Sequence, residues 1–353
     1  MAARAGVSTA TVSNVLNARR SVAPELVARV RAAVAELGYI ADLGAARLRS
    51  RRSRVAGLMV PDLANPFFGN LAAVIEAAAR QDGYDLLIVS SDDDAAQETA
   101  RMRALLTWRT AGLIVVPCDG TLAARGVALA AGVPLVAVDR IPDDPPLDII
   151  AVDNAAAGAA VARHLLETGR RHILAVAAGA GIANIAARCA AAHAVAAAAG
   201  ARLEVLEVGF ALADSRALIA RRLAVAPLPD ALFTLNNVVT LAALGAVHAA
   251  GLRVPEDVAL VGFDDQEWMR VASPPITAVR QPVGAMGQAA WARLKARIGG
   301  DAAPPQALRL DCTLELRAST APAPAEWPMA RCGLEDAGGS ELRRPLAKHR
   351  PIA

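Results

Sequence analysis

From Arg54 onward, short apolar runs recur along the chain with helix-like stretches between them. Val55–Val60 is the first run, followed by Leu86–Val89, Gly112–Pro117 and Gly132–Asp139. Continuous apolar runs of this length, separated by amphipathic segments, predict strands of a parallel sheet covered by helices on both faces. Between the first two runs the pattern predicts a loop over Pro61–Phe68, a helix from Gly69 to Asp82, and a stop at Gly83. A second round begins at Arg170. It predicts a strand at Ile173–Ala177, a helix at Ala186–Ala199 closed by Gly200, and a strand at Leu203–Val208. A strand at Ala231–Leu235, a helix at Val239–Ala250 closed by Gly251, and a strand at Val258–Gly262 complete it. The body is therefore two similar open α/β units in tandem. Open sheets bind ligands beyond the carboxyl ends of their strands. Two such units facing one another make a cleft that can hinge shut on a solute.

The first residues follow a different period. Ser8 is placed to cap a helix over Thr9–Leu16, with Val12 and Leu16 on its inner face. A Gly6 turn precedes it, and a further helix runs from Pro24 to Leu37, closed by Gly38. Leu26, Val30, Ala33 and Leu37 give that helix a packing stripe. The outer face of the short helix carries small side chains, Thr9, Ala10, Ser13, Asn14 and Asn17. Such a face lets a helix backbone approach base edges in a major groove, where Asn can pair with adenine and Thr can touch a thymine methyl.

Charge sharpens this division. The first 54 residues hold 10 Arg against 3 Asp and Glu, whereas the whole chain sums to +3. A basic head on a slightly acidic body points to a polyanionic partner for the head alone. Composition then removes other classes. No run of apolar residues is long enough to span a membrane, and the start lacks a signal-peptide core, so a cytoplasmic protein is expected. The four cysteines (Cys118, Cys189, Cys312 and Cys332) and the five scattered histidines show no metal spacing. Gly179-Ala-Gly181 lacks the remainder of a dinucleotide fingerprint, and no P-loop occurs. Neither a cofactor nor a metal is expected, and no nucleophile stands beside a base.

The segment Ala5-Gly-Val-Ser-Thr-Ala-Thr-Val-Ser-Asn-Val-Leu-Asn17, together with Glu36-Leu-Gly-Tyr39 and Ala45–Leu48, resembles the lactose-repressor (LacI/GalR) family of bacterial transcription regulators. Landmarks of the body extend the likeness to about Arg317: Asn65-Pro-Phe-Phe68, Val152-Asp-Asn154, Gly251–Asp265 and Pro274–Pro282. The resemblance implies an all-α helix-turn-helix at 1–40, a hinge helix and linker at 41–54, and a two-lobed core at 55–320 like the periplasmic sugar-binding proteins. Lobe 1 would comprise about 55–154 and 283–309, and lobe 2 about 155–282 and 310–320, with the chain crossing near 155, 282 and 310. The tail, 321–353, is rich in Pro, Ala, Gly and Arg and reads as disordered, and with no Leu heptad a homodimer is expected.

The likeness also implies roles. Ser8, Thr9, Ala10, Thr11, Ser13, Asn14 and Asn17 would contact double-stranded operator DNA, with Ala45, Leu48 and Arg49 at the hinge. Leu48 would be the apolar wedge that opens a base step in the minor groove. On charge alone, 39–52 reads equally as a solvated linker. Two departures stand out. The family's first helix begins before the position of Met1, so either the start lies upstream, which is the expectation, or the chain binds DNA poorly. Ala41-Asp42 replaces the common Pro-Asn, which sets an acid near phosphates.

For the cleft, the likeness implies a small, sugar-like effector held by Arg188, Asn236, Asp264, Gln281 and Asp153. Phe68 and Phe210 would supply ring faces; Phe67, in the same kind of loop as Trp268, is a further candidate for stacking on a ligand. Asp264 can equally turn the chain, Arg188 can be an ordinary surface residue, and the rings can be core. Asn237 stands where an Asp is common. Arg188-Cys-Ala-Ala-Ala192 lacks the bulk the family carries after this arginine, which predicts a wider or reshaped pocket. Two rival readings remain. A solute-binding protein without a DNA role would need an export signal, and an α/β enzyme would need catalytic carboxylates or a nucleotide loop.

Overall fold

In the computed structural model, residues 1–17, 22–38, 53–118, 124–141 and 147–320 are described. Ala45, Leu48 and Arg49 of the expected hinge, and the tail 321–353, lie outside the described residues.

The head contains α1 (Ala2–Ala5), α2 (Thr9–Asn17) and α3 (Pro24–Glu36). Gly6 ends α1 with φ 61°, a left-handed conformation that glycine adopts without a steric cost. Ser8 caps α2, its Oγ accepting from the Thr11 N–H at 3.1 Å. Ala5, Val12, Val30 and Ala33 form the small core. Arg29 donates to the Gly6 carbonyl at 2.8 Å, and Arg4 pairs with Glu36, tying α3 to α1 and its turn. Leu16 and Leu37 do not join this core and are 38% and 50% exposed. Only the turn of α2 bearing Val12 and Val15 reaches the core shared with α3.

The body begins with β1 (Val55–Val60), α4 (Pro66–Gln81), β2 (Asp85–Ser90), α5 (Ala95–Thr107), β3 (Leu113–Val115), α6 (Arg125–Ala130), β4 (Leu135–Val138) and β5 (Asp148–Val152). It continues through α7 (Asn154–Glu167), β6 (His172–Ala178), α8 (Ala183–Ala198), β7 (Arg202–Val208), α9 (Leu212–Leu223) and β8 (Ala231–Thr234). Then come α10 (Asn237–Ala249), β9 (Ala259–Phe263), α11 (Glu267–Val271) and β10 (Thr277–Arg280). The chain closes with α12 (Val283–Ile298), β11 (Ala307–Leu310) and β12 (Thr313–Glu315).

Two six-stranded sheets result, ordered β11-β5-β4-β3-β1-β2 and β12-β10-β9-β8-β6-β7. All neighbours run parallel except β12, which is antiparallel to β10. The chain passes from the first sheet to the second after Val152, returns after Arg280, and passes again between Leu310 and Thr313. Each sheet is covered on both faces, which is why its central strands are uniformly apolar. In the first, α4 and α12 cover one face and α5 and α6 the other. In the second, α9 and α10 cover one face and α7 and α8 the other. Cys312, in the last crossing, packs against cores of both lobes.

Helix starts differ from the periodicity. Asn65 caps α4, accepting from the Phe67 N–H at 3.0 Å, and Pro66 presets the first turn, so α4 opens before Gly69. Asn236 likewise caps α10 through the Val239 N–H at 3.0 Å. The amino end of β1 is tied by the Asp85 N–H to the Arg54 carbonyl at 2.8 Å. At the other terminus Ser319 is pinned to the amino end of β9, its Oγ donating to the Leu260 carbonyl at 2.6 Å.

Candidate ligand cleft and candidate nucleic-acid interface

The loops after β1 and β4 face those after β6, β8 and β9 around one cavity of about 30 Å³. That is room for a water molecule or two, not for a sugar, so the lobes lie closed upon one another. Two hydrogen-bonded side-chain pairs join them. Asn184 at the start of α8 donates to both Asp139 oxygens at 3.2 and 3.1 Å, and Asn237 Nδ2 donates to Asn65 Oδ1 at 2.8 Å.

Arg188 forms the floor. It is 2% exposed, donates from Nε to Asn154 Oδ1 at 2.8 Å and from Nη1 to the Leu235 carbonyl at 2.7 Å, and lies 3.5 Å from the Phe263 ring centroid. Its Nη2 is buried without a partner. Burial pulls its pKa down, and the charges of Asp264 and Asp139 oppose that pull. Asp264 follows β9 and accepts from Gln281 Nε2 at 2.6 Å. Burial pushes its carboxyl up, opposed by Arg188, Gln281 and the Asn237 backbone N–H. Since the carboxylate takes the amide nitrogen, Gln281 Oε1 is left as a buried acceptor without a partner. Burial also pushes the nearby Cys312 thiol up to about 12.

Of the residues expected here, Phe67, Phe68, Arg188, Phe210, Asn236, Asp264 and Gln281 line the cavity. Phe67 and Phe68 pack edge-to-face at 5.2 Å and also belong to the lobe 1 core. Phe210 is 37% exposed at the cavity mouth. Asp153 does not line the cavity; its Oδ1 caps α7 by accepting from the Ala156 N–H at 2.8 Å. Trp268 packs on the lobe 2 core instead. The small residues after Arg188 do not line the cavity. Cys189 and Ala192 face the lobe 2 core, and Ala190 is exposed.

Sequence reasoning missed Asn65, Asp139, Arg140, Asn184 and Ile185 as cavity residues. Asp139 had a readable signal, since it ends an apolar run just as Asp264 does. The two strands before them, β4 and β9, hold the same place in their sheets. Both aspartates are left-handed, with φ 69° and 64°. Arg140 pairs with Asp93 and lies 5.4 Å from the Phe68 ring and 5.7 Å from the Phe210 ring, one ring from each lobe. Among the described residues no cluster of His, Cys, Asp or Glu could hold a metal ion.

On the head, Ser8, Thr9 and Ala10 are exposed, and Thr11, Ser13 and Asn14 are half-buried. The Ser8 and Thr11 hydroxyls lie 2.9 Å apart, within bonding distance of each other. A first turn of small exposed side chains leaves the amino end of α2 open to a groove. The side chain of Asn17 lies outside the described residues.

A helix-turn-helix head joined to two parallel-sheet lobes that close on a polar cavity defines a ligand-responsive DNA-binding protein. Residues 1–42 match the bacterial regulatory proteins of the lacI family, and residues 162–320 match a periplasmic binding protein-like domain. The HTH-type transcriptional regulator PtxS of Pseudomonas putida is 33% identical over 321 residues, 90% of this chain and 94% of that protein. Among solved structures, a lac repressor dimer bound to operator and the anti-inducer ONPF is 27% identical, covering 91% of this chain and 97% of its own, with a TM-score of 0.81. A complex of the transcriptional regulator CelR with cellobiose is 29% identical, covering 90% and 98%, with a TM-score of 0.70. The chain belongs to the lacI family of bacterial transcriptional regulators. No described helix is long and apolar enough to cross a membrane.

Proposed function

We propose that the chain is a homodimeric, cytoplasmic transcriptional repressor rather than an enzyme, and that a small polyhydroxylated effector in the cleft sets its grip on operator DNA. The observation that carries the reading is the closed cavity between the lobes, floored by buried Arg188 beside Asp264. A guanidinium with an unpartnered nitrogen and an amide oxygen without a donor suit hydroxyl groups, which both accept and donate. The sugar complex of CelR supports this chemistry.

The DNA contacts we assign are Ser8, Thr9, Ala10, Thr11, Ser13, Asn14 and Asn17 on α2, with Ala45, Leu48 and Arg49 following. Two copies would set two α2 helices in successive major grooves, which the operator-bound dimer of the lac repressor supports. The effector contacts are Phe67, Phe68, Arg188, Phe210, Asn236, Asp264 and Gln281. Asp153 would act from the crossing, by holding the start of α7.

A mobility-shift assay with the DNA upstream of the encoding gene tests both halves. Specific retardation that a member of a mono- and disaccharide panel alters supports the proposal. Binding of equal strength to unrelated duplexes, or retardation that no panel member alters, would overturn it. Leu48→Ala is expected to weaken specific binding more than non-specific binding.

A further inference from the structure

Asn237 does not line the cavity, yet it holds two residues that do. Its backbone N–H donates to the Asp264 carboxylate on lobe 2, and its side chain reaches Asn65 on lobe 1. Asn65 Oδ1 already accepts from the Phe67 N–H to cap α4, so it can face Asn237 only as an acceptor. The Asn237 amide must therefore present its nitrogen. Its Oδ1 is left buried and without a partner, and the residue is 5% exposed.

We propose that Asn237 is a positioning residue that latches the two lobes through Asn65 and so sets the open–closed balance on which effector affinity depends. The proposal rests on the reading of the cleft as the effector site. A hydrogen-bond donor at 237 is the requirement. A carboxylate would set oxygen against Asn65 Oδ1 and add a negative charge beside Asp264, opening the seam. An alanine would remove the bond without adding charge. A ligand held between the lobes gains whatever free energy favours closure, so loss of the latch lowers its affinity.

The test compares the full-length protein with Asn237→Ala and Asn237→Asp, using small-angle scattering and hydrogen exchange of peptides spanning 64–70 and 235–241. Both variants should show a larger radius of gyration and faster exchange in these two peptides, with Asn237→Asp the more open. Acidification should close Asn237→Asp again, because its protonated carboxyl supplies an O–H to Asn65 Oδ1, whereas Asn237→Ala has no donor to regain. The ionisable groups of the cavity wall, Asp139, Arg140, Arg188 and Asp264, are present in both variants, so an acid response peculiar to Asn237→Asp belongs to its new carboxyl and to the repulsion between that carboxyl and Asp264. For whichever sugar of the panel binds the parent, affinity for Asn237→Ala should fall by roughly two- to tenfold, the worth of one hydrogen bond. Parent-like scattering and exchange in both variants would overturn the latch. So would an Asn237→Asp opening that acid does not reverse while Asn237→Ala behaves as the parent. Scattering and exchange need neither operator nor effector, so they judge the latch even if the cleft has another use. Should Asn237→Asp not fold, the scattering and exchange of Asn237→Ala alone decide.

Discussion

Arg188 is held from three sides, by an amide, a backbone carbonyl and the face of a ring, and this geometry belongs to a planar fork rather than to positive charge alone. Lysine cannot reproduce two directed bonds and a stacked face. Arg188→Lys should therefore weaken effector binding by about 1.5–3 kcal/mol, the range for hydrogen bonds to a charged group, as read by calorimetry. Its melting temperature should fall as well. A second residue-scale expectation concerns Glu204 on β7, whose pKa is lowered from 4.5 to about 2, chiefly by the hydrogen bond from Arg222. A carboxylate depressed in the folded state stabilises the fold above its unfolded pKa and loses that contribution as pH falls. Glu204→Gln should cost about 1 kcal/mol near neutral pH, and the difference from the parent should vanish between about pH 4.5 and 2 in urea titrations.

At this scale the sequence was informative where chemistry followed a strand and silent where packing decided. Asp264 and Arg188 were legible from their motifs, but their burial was not. Asp153 could be placed beside the cleft, yet nothing in the residues said that its carboxylate would turn to cap α7. Asp139 and Arg140 stood in plain view after Val138. They were passed over because a carboxylate ending a strand is ordinary until its twin in the other lobe is seen.

Among the described elements, α7 and α8 pack extensively on one another, and Gly158 permits a close backbone approach. A Cβ on Gly158 would lie 2.2 Å from the Arg188 carbonyl oxygen, a backbone atom that cannot rotate aside. Gly158→Ala must push the helices apart at the very turn that bears the cleft arginine. It should cost roughly 1–3 kcal/mol of stability and also reduce effector affinity, measured by urea melts and titration of the same preparation. The long apolar runs of β1, β6 and β9 announced themselves, since a strand buried on both faces needs no alternation. By contrast, α5 mixes Gln, Glu, Thr and Arg among its buried Met102 and Leu105, and it escaped the periodicity. Two helix starts were misplaced for the same reason, whereas α8 opens at Ala183 with no side-chain cap. Asn65 and Asn236 cap from outside the apolar stripe, so the first turn carries no hydrophobic signal.

For the whole molecule, affinity for operator and affinity for effector are reciprocal quantities. If a sugar lowers operator affinity by some factor, operator must lower sugar affinity by the same factor. Titrating the sugar with and without a saturating operator duplex checks this, and unequal factors would mean a second binding event. The two-lobed plan was legible from the recurrence of strand and helix before any contact was known. The closed state was not, because closure rests on individual side-chain pairs such as Asn184 with Asp139 that no periodicity encodes.

The carboxyl ends of both sheets meet at the cavity, so their amino ends point away from one another. Arg54 therefore enters at one pole of the body and Ser319 is anchored at the opposite pole. Whatever follows Thr320, a fluorescent reporter or an affinity handle included, leaves the body at the pole opposite Arg54. Immobilising the protein by that end should leave duplex binding and solute entry unobstructed, whereas a fusion at Met1 would crowd the recognition helix itself.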